Sequence, residues 1–148
     1  MQFPHLVLGS IAIFFYVGVE TIALGSVIDY AKTLGLAAAE NYSWITPIAM
    51  SIGYIAGILF IPKYLSQNTA LKICAIVAVI GTICVATLPA HLSIYSIGIV
   101  ALGCSLMWPA IWPLAMKDLG KFTKTGSSLL TMGLFGGAIL TLLFGWFK

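Results

Sequence analysis

The 148-residue chain has no arginine, seven lysines and only four acidic residues. Charged residues make up 7% of it, against roughly 25% in ordinary soluble domains. So few charges cannot clothe a water-exposed core of this size, which excludes a soluble globular fold. The lysines are scattered between apolar runs, which excludes a nucleic-acid footprint as well. Cys74, Cys84 and Cys104 all fall inside apolar runs and form no C-x-x-C pair. That leaves neither a disulfide framework nor a zinc site, and the thiols read as small packing groups. His5 and His91 sit at expected span ends on opposite sides, so they cannot share a metal. There is no G-x-S-x-G, no P-loop and no nucleophile–base pair that can be placed. Neither an enzyme nor a bound cofactor or metal is expected. The start MQFPHL lacks a positive n-region and no small-residue cleavage pattern ends the first apolar run, so no cleavable signal peptide is expected.

What the chain has is hydrophobic length: 61% of its residues are hydrophobic and the mean hydropathy is +1.09. A helix crossing a bilayer needs about 20 apolar residues. Five segments meet or approach that: His5–Ile28; Trp44–Ile61, closed by Pro62; Leu71–Leu88, closed by Pro89; Leu92–Met116; and Ser127–Phe147. The expected fold is all-α, a polytopic bundle of five transmembrane helices in the lipid bilayer, forming a single membrane domain over residues 1–148. The connections Asp29–Ser43, Pro62–Ala70, Pro89–His91 and Lys117–Gly126 are short, so consecutive helices should be neighbours. No repeat at a period of 20–50 residues is visible.

Lysine placement gives orientation. Lys63, Lys72, Lys117, Lys121 and Lys124 fall on one side; Lys32 and Lys148 fall on the other, with Asp29 and Glu40 beside Lys32. The lysine-rich side should be cytoplasmic, which puts the N-terminus in the cytoplasm of a plasma membrane. Tyr30, Tyr42, Trp44, Tyr64, Trp146 and Phe147 lie near span ends, as an interfacial aromatic belt requires. An odd number of spans ending on a tryptophan-rich edge points to a fragment of a larger transporter.

Glu20 is the acidic residue inside a span, ~5 Å from the midpoint of the first at 1.5 Å per residue. A carboxylate there costs roughly 3 kcal/mol on insertion scales, so it should face protein or water. Tyr16, four residues earlier, shares its face. Together they offer a polar surface for a hydroxylated solute or for proton exchange; the structural alternative is a carboxyl satisfied by a neighbouring helix. Trp108 and Trp112 also share a face, with Ser105 on the same side, and Trp108 lies ~6 Å from the midpoint of its span, too deep for the interfacial belt. An indole can stack on the C–H face of a sugar while Ser105 or Tyr16 supplies hydrogen bonds; the alternative is bulky packing, which Trp112 fits better. Pro109 and Pro113 each remove a helix hydrogen bond, so a kink or broken segment is expected between Leu92 and Met116. Gly53-x-x-x-Gly57 and Gly133-x-x-x-Gly137, with Gly136 beside it, should let helices approach closely. Asn41-Tyr42-Ser43 matches a glycosylation sequon with nothing to support its use, and the basic loop Lys117–Lys124 is explained by topology alone.

The hairpin WPAIWPLAMKDLGKFTKTGSSLLTMGLFGGAIL resembles the tenth and eleventh helices of the fucose/glucose–galactose proton symporter family, within the major facilitator superfamily. The opening LGSIAIFFYVGVETIALGSVIDY resembles that family's seventh helix, with the YVG-x-E core at Tyr16, Val17, Gly18 and Glu20. The middle spans fit the eighth and ninth. The resemblance implies a twelve-helix transporter of two halves that moves a hexose or related monosaccharide with protons by alternating access in the bacterial inner membrane. This chain would be five helices of the second half, a sugar-transporter fragment inactive without its missing N-terminal half. Tyr16, Glu20, Ser105, Trp108 and Trp112 would be the substrate-cavity candidates, with Glu20 carried over as a cavity-side residue and not as an established proton site. Thr141 stands where the family commonly has proline after the G-G-A-I-x run, and the protonatable residues of the first half have no counterpart here. The competing reading is a stand-alone multi-span interaction or assembly subunit without transport activity.

Overall fold

A computed structural model describes residues 3–61 and 63–147 of the chain. Pro62, expected to close the second span, and Lys148, counted for orientation, lie outside the described residues. Five stretches are long and apolar enough to cross a membrane: Pro4–Gly25, Ala39–Phe60, Gln67–Thr87, Ala90–Met116 and Gly120–Phe147. Each answers one expected span, and the described residues contain no strand. The protein is a multi-pass, all-helical membrane protein.

Within those stretches the helices are α1 (Pro4–Gly25), α2 (Val27–Thr33), α3 (Ile45–Phe60), α4 (Gln67–Thr87), α5 (Ala90–Ser105), α6 (Met107–Met116), α7 (Thr123–Met132) and α8 (Phe135–Phe147). Short 3-10 turns at Ala39–Tyr42 and Gly120–Phe122 precede α3 and α7. Ser66 caps α4 by accepting a hydrogen bond from the Thr69 amide at 3.2 Å. Leu88, before Pro89, leaves the helical region and ends it.

Two long spans are interrupted. Pro109 has no N–H for the Ser105 carbonyl and its ring crowds that group; α5 stops at Ser105 and α6 starts at Met107. The expected break therefore falls four residues before the first proline, while Pro113 is carried inside α6. Between α7 and α8 the backbone tightens into i→i+3 bonds, Gly133 N–H to Leu130 O and Gly136 N–H to Gly133 O, each 3.0 Å.

The helices gather into two compact units. One holds residues Ala23–Met107. Its axis is α5, whose buried positions include Ser93, Ser96, Gly98, Ala101, Gly103 and Ser105. These small side chains let α3 and α4 pack closely on it: a Cβ on Gly103 would stand 2.6 Å from the Ala78 backbone nitrogen. Gly53 and Gly57 of α3 face Ser105 and Leu106, the packing role expected of that pair. The stretch read as a loop, Asp29–Ser43, is largely ordered. Val27 and Ala31 of α2 join Ala39, Ile45, Ile94 and Ile97 in a small apolar core at one end of this unit. The Tyr30 hydroxyl hydrogen-bonds Ser93 Oγ and lies 3.3 Å from the Val85 carbonyl, which also accepts from Ser93 Oγ at 2.7 Å.

The other unit comprises the described residues up to Ile22 and from Trp108 onward. Here α1 packs with α6, α7 and α8 through small residues. Gly9 meets Ala115, Gly133 meets Ile13, and Gly136 lies against the Phe14 backbone. At one end the His5 ring donates from Nε2 to the Lys117 carbonyl at 2.8 Å, joining the start of α1 to the end of α6. Phe3 packs on both His5 and Phe122 beside it.

Candidate functional site

Four of the five expected cavity residues fall in the second of these units. Tyr16 and Glu20 lie one turn apart on α1, as their spacing predicts. Tyr16 is buried, Glu20 half-buried, and the phenol donates a hydrogen bond to the carboxylate. A carboxylate accepts through two oxygens and about four lone-pair directions. One donor from its own helix orients it and leaves capacity for hydroxyl groups of a solute.

Trp108 and Trp112 lie one turn apart on α6, both half-buried. Their ring centroids are 5.4 Å apart and their planes 31° from parallel. The shared face expected from the i, i+4 spacing is present, as a tilted stack of two indoles. A pair so arranged offers a broad flat apolar surface edged by two N–H donors, the chemistry suited to a sugar ring.

Ser105 is placed differently. It is fully buried in the unit built on α5, against Gly53, and its Oγ donates to the Leu102 carbonyl at 2.7 Å. The three-residue spacing to Trp108 implied a shared face only while the helix ran unbroken. α5 stops at Ser105, and the serine hydroxyl is committed to its own backbone.

One feature escaped the sequence reading. Lys124, Ser127, Ser128 and Thr131 stand at i, i+3, i+4 and i+7 on α7, and with Met132 and Phe135 they line an open groove of about 440 Å³. Helical spacing of the polar residues was the available signal. Hydropathy places this span from Ser127, whereas α7 begins at Thr123 and so takes Lys124 into the helix. Among the described residues no three His, Cys, Asp or Glu side chains gather where they might hold a metal ion.

No protein-family model matches the chain. It is 33% identical over 150 residues to a glucose/galactose transporter of Brucella abortus, covering 97% of this chain and 36% of that one. It is 30% identical over 142 residues to the L-fucose–proton symporter of Escherichia coli, covering 92% of this chain and 32% of that one. A crystal structure of the major facilitator superfamily transporter FucP, in the outward conformation, superposes with a TM-score of 0.89 at 29% identity. The chain is a homologue of these sugar transporters. That superposition covers 97% of this chain and 35% of FucP, so the fold is that of part of a major facilitator transporter. The chain spans about a third of the length of the relatives it matches.

Proposed function

We propose that the chain builds part of the second half of a proton-coupled sugar symporter, from the seventh to the eleventh helix of a twelve-helix fold. The observation that supports this most is the continuous similarity: 97% of the chain aligns with a glucose/galactose transporter and 97% superposes on FucP. In this reading a hexose or related monosaccharide binds near the midplane between the two halves, which rock about it. Glu20, oriented by Tyr16, accepts hydrogen bonds from sugar hydroxyls. Trp108 gives the ring an apolar face, and Trp112 supports it as the second indole of the stack. Ser105, committed to Leu102, takes no part. The lysine-rich connections face the cytoplasm of a bacterial inner membrane, and the N-terminus is cytoplasmic. The 148-residue chain alone has no opposite cavity wall and moves no sugar; labelled-sugar uptake by proteoliposomes holding only this chain would refute that.

The residue roles are tested in a chimaera. The aligned third of the Escherichia coli L-fucose–proton symporter is replaced by this chain, and uptake of labelled L-fucose, glucose and galactose is measured. The chimaera is expected to transport at least one of them. Glu20→Gln should lower uptake roughly tenfold or more, the worth of one hydrogen bond to a charged group, and Trp108→Ala should raise KM. Normal uptake by both variants would remove these residues from the sugar path. A correctly inserted chimaera that transports none of the three would favour the assembly-subunit reading.

A further inference from the structure

The groove on α7 runs from Lys124 past Ser127, Ser128 and Thr131 to Met132 and Phe135. Its chemistry is graded: a cation at one end, hydroxyls in the middle, a thioether and a phenyl ring at the other. From Lys124 to Phe135 the helical rise is roughly 16 Å at 1.5 Å per residue. That is about half of the roughly 30 Å hydrocarbon thickness, the depth of one leaflet. The cationic end adjoins the Lys117–Lys124 loop, in whose sequence Asp118 is the one acid beside Lys117, Lys121 and Lys124. Lys121 Nζ stands 5.3 Å from the centre of the Phe122 ring, with the cation held against an aromatic group.

The hydroxyls say what kind of molecule suits the groove. Ser128 Oγ donates to the Lys124 carbonyl at 3.2 Å and Thr131 Oγ1 to the Ser127 carbonyl at 2.8 Å. Ser127 Oγ lies 3.9 Å from Met116 Sδ within the same unit. The stripe thus spends its protons inside the protein and needs no polar helix to satisfy it, while Lys124 still calls for an anion. The geometry points to an anionic phospholipid of the cytoplasmic leaflet seated in this groove, its phosphate at Lys124, its glycerol and ester level along the hydroxyls, its acyl chain over Met132 and Phe135. Basic pockets at the cytoplasmic ends of membrane helices recognise headgroups in this way. Topology accounts for the lysines of the loop but not for a groove that continues them one leaflet deep.

The test is native mass spectrometry of the purified 148-residue chain in neutral detergent, titrated with phosphatidylglycerol or phosphatidylcholine. Phosphatidylglycerol should be retained preferentially. Lys124→Gln should weaken its retention about fivefold, the worth of one basic side chain near an anionic surface. Lys124→Arg should preserve retention, and Lys72→Gln, on the other lysine-bearing connection, should leave it unchanged. Equal retention of the two lipids would overturn the proposal and assign the groove to another part of the transporter. So would equal retention by the Lys124→Gln and Lys72→Gln variants.

Discussion

Gly136→Ala probes the packing of α1 on α8 with a single methyl group. A Cβ at this position would press on the Phe14 carbonyl oxygen, and it would stand 2.6 Å from the Phe14 carbonyl carbon and 2.7 Å from its Cα. All three are backbone atoms of a helix, so no side-chain rotation relieves the clash. Carbon contacts settle at about 3.5–4.0 Å, so α1 and α8 must part by about 1 Å. A gap of that size forfeits up to half of the attraction of each contact along the seam, and overpacking typically costs about 1–3 kcal/mol. With backbone on the receiving side, a loss of about 2–3 kcal/mol is expected. Gly145 is the control, because nothing lies within 4 Å of a Cβ built there. Gly145, in the last turn of α8, should be neutral or slightly stabilising as alanine, within the ~1 kcal/mol that a fully interior glycine would gain. The assay is unfolding of each variant in mixed micelles with increasing sodium dodecyl sulfate, followed by circular dichroism. If Gly136→Ala unfolds at the same detergent fraction as Gly145→Ala, the close α1–α8 approach is refuted.

Two further predictions address the other unit and the orientation. Ser93→Ala removes the donor to the Val85 carbonyl and a partner of the Tyr30 hydroxyl, both part-buried; it should cost about 1–3 kcal/mol in the same assay, and an unchanged midpoint would show that this cluster does not hold α2 in place. In a variant lacking its native cysteines, Lys121→Cys should react with a membrane-impermeant maleimide only from the cytoplasmic side and Lys32→Cys only from the outside. The opposite pattern would reverse the proposed topology.

The parts legible in the sequence are those governed by local spacing within an unbroken helix. Apolar run length located all five spans. The i, i+4 rule paired Tyr16 with Glu20 and stacked Trp108 on Trp112, because both pairs lie inside one helix. Pro109 announces a break, but hydropathy cannot say that it falls before the proline, at the end of α5, where the Ser105 hydroxyl bonds its own backbone. In sequence α2 reads as a loop, because its seven residues carry Asp29 and Lys32 and are too few for a periodic signal. Its order comes from Val27 and Ala31 meeting Ile45, Ile94 and Ile97, which are distant in sequence. The polar stripe of α7 was legible in principle, but lay under a span boundary drawn by hydropathy alone.

The central claim, proton-coupled sugar movement through a wall that includes Glu20, is tested most directly by reconstituting the chimaera in proteoliposomes with equal labelled sugar on both sides. A proton gradient is then imposed. Accumulation above equilibrium that collapses with a protonophore, and that Glu20→Gln reduces roughly tenfold, is the predicted result. Sugar that stays at equilibrium across an imposed gradient, or accumulation untouched by Glu20→Gln, would contradict it.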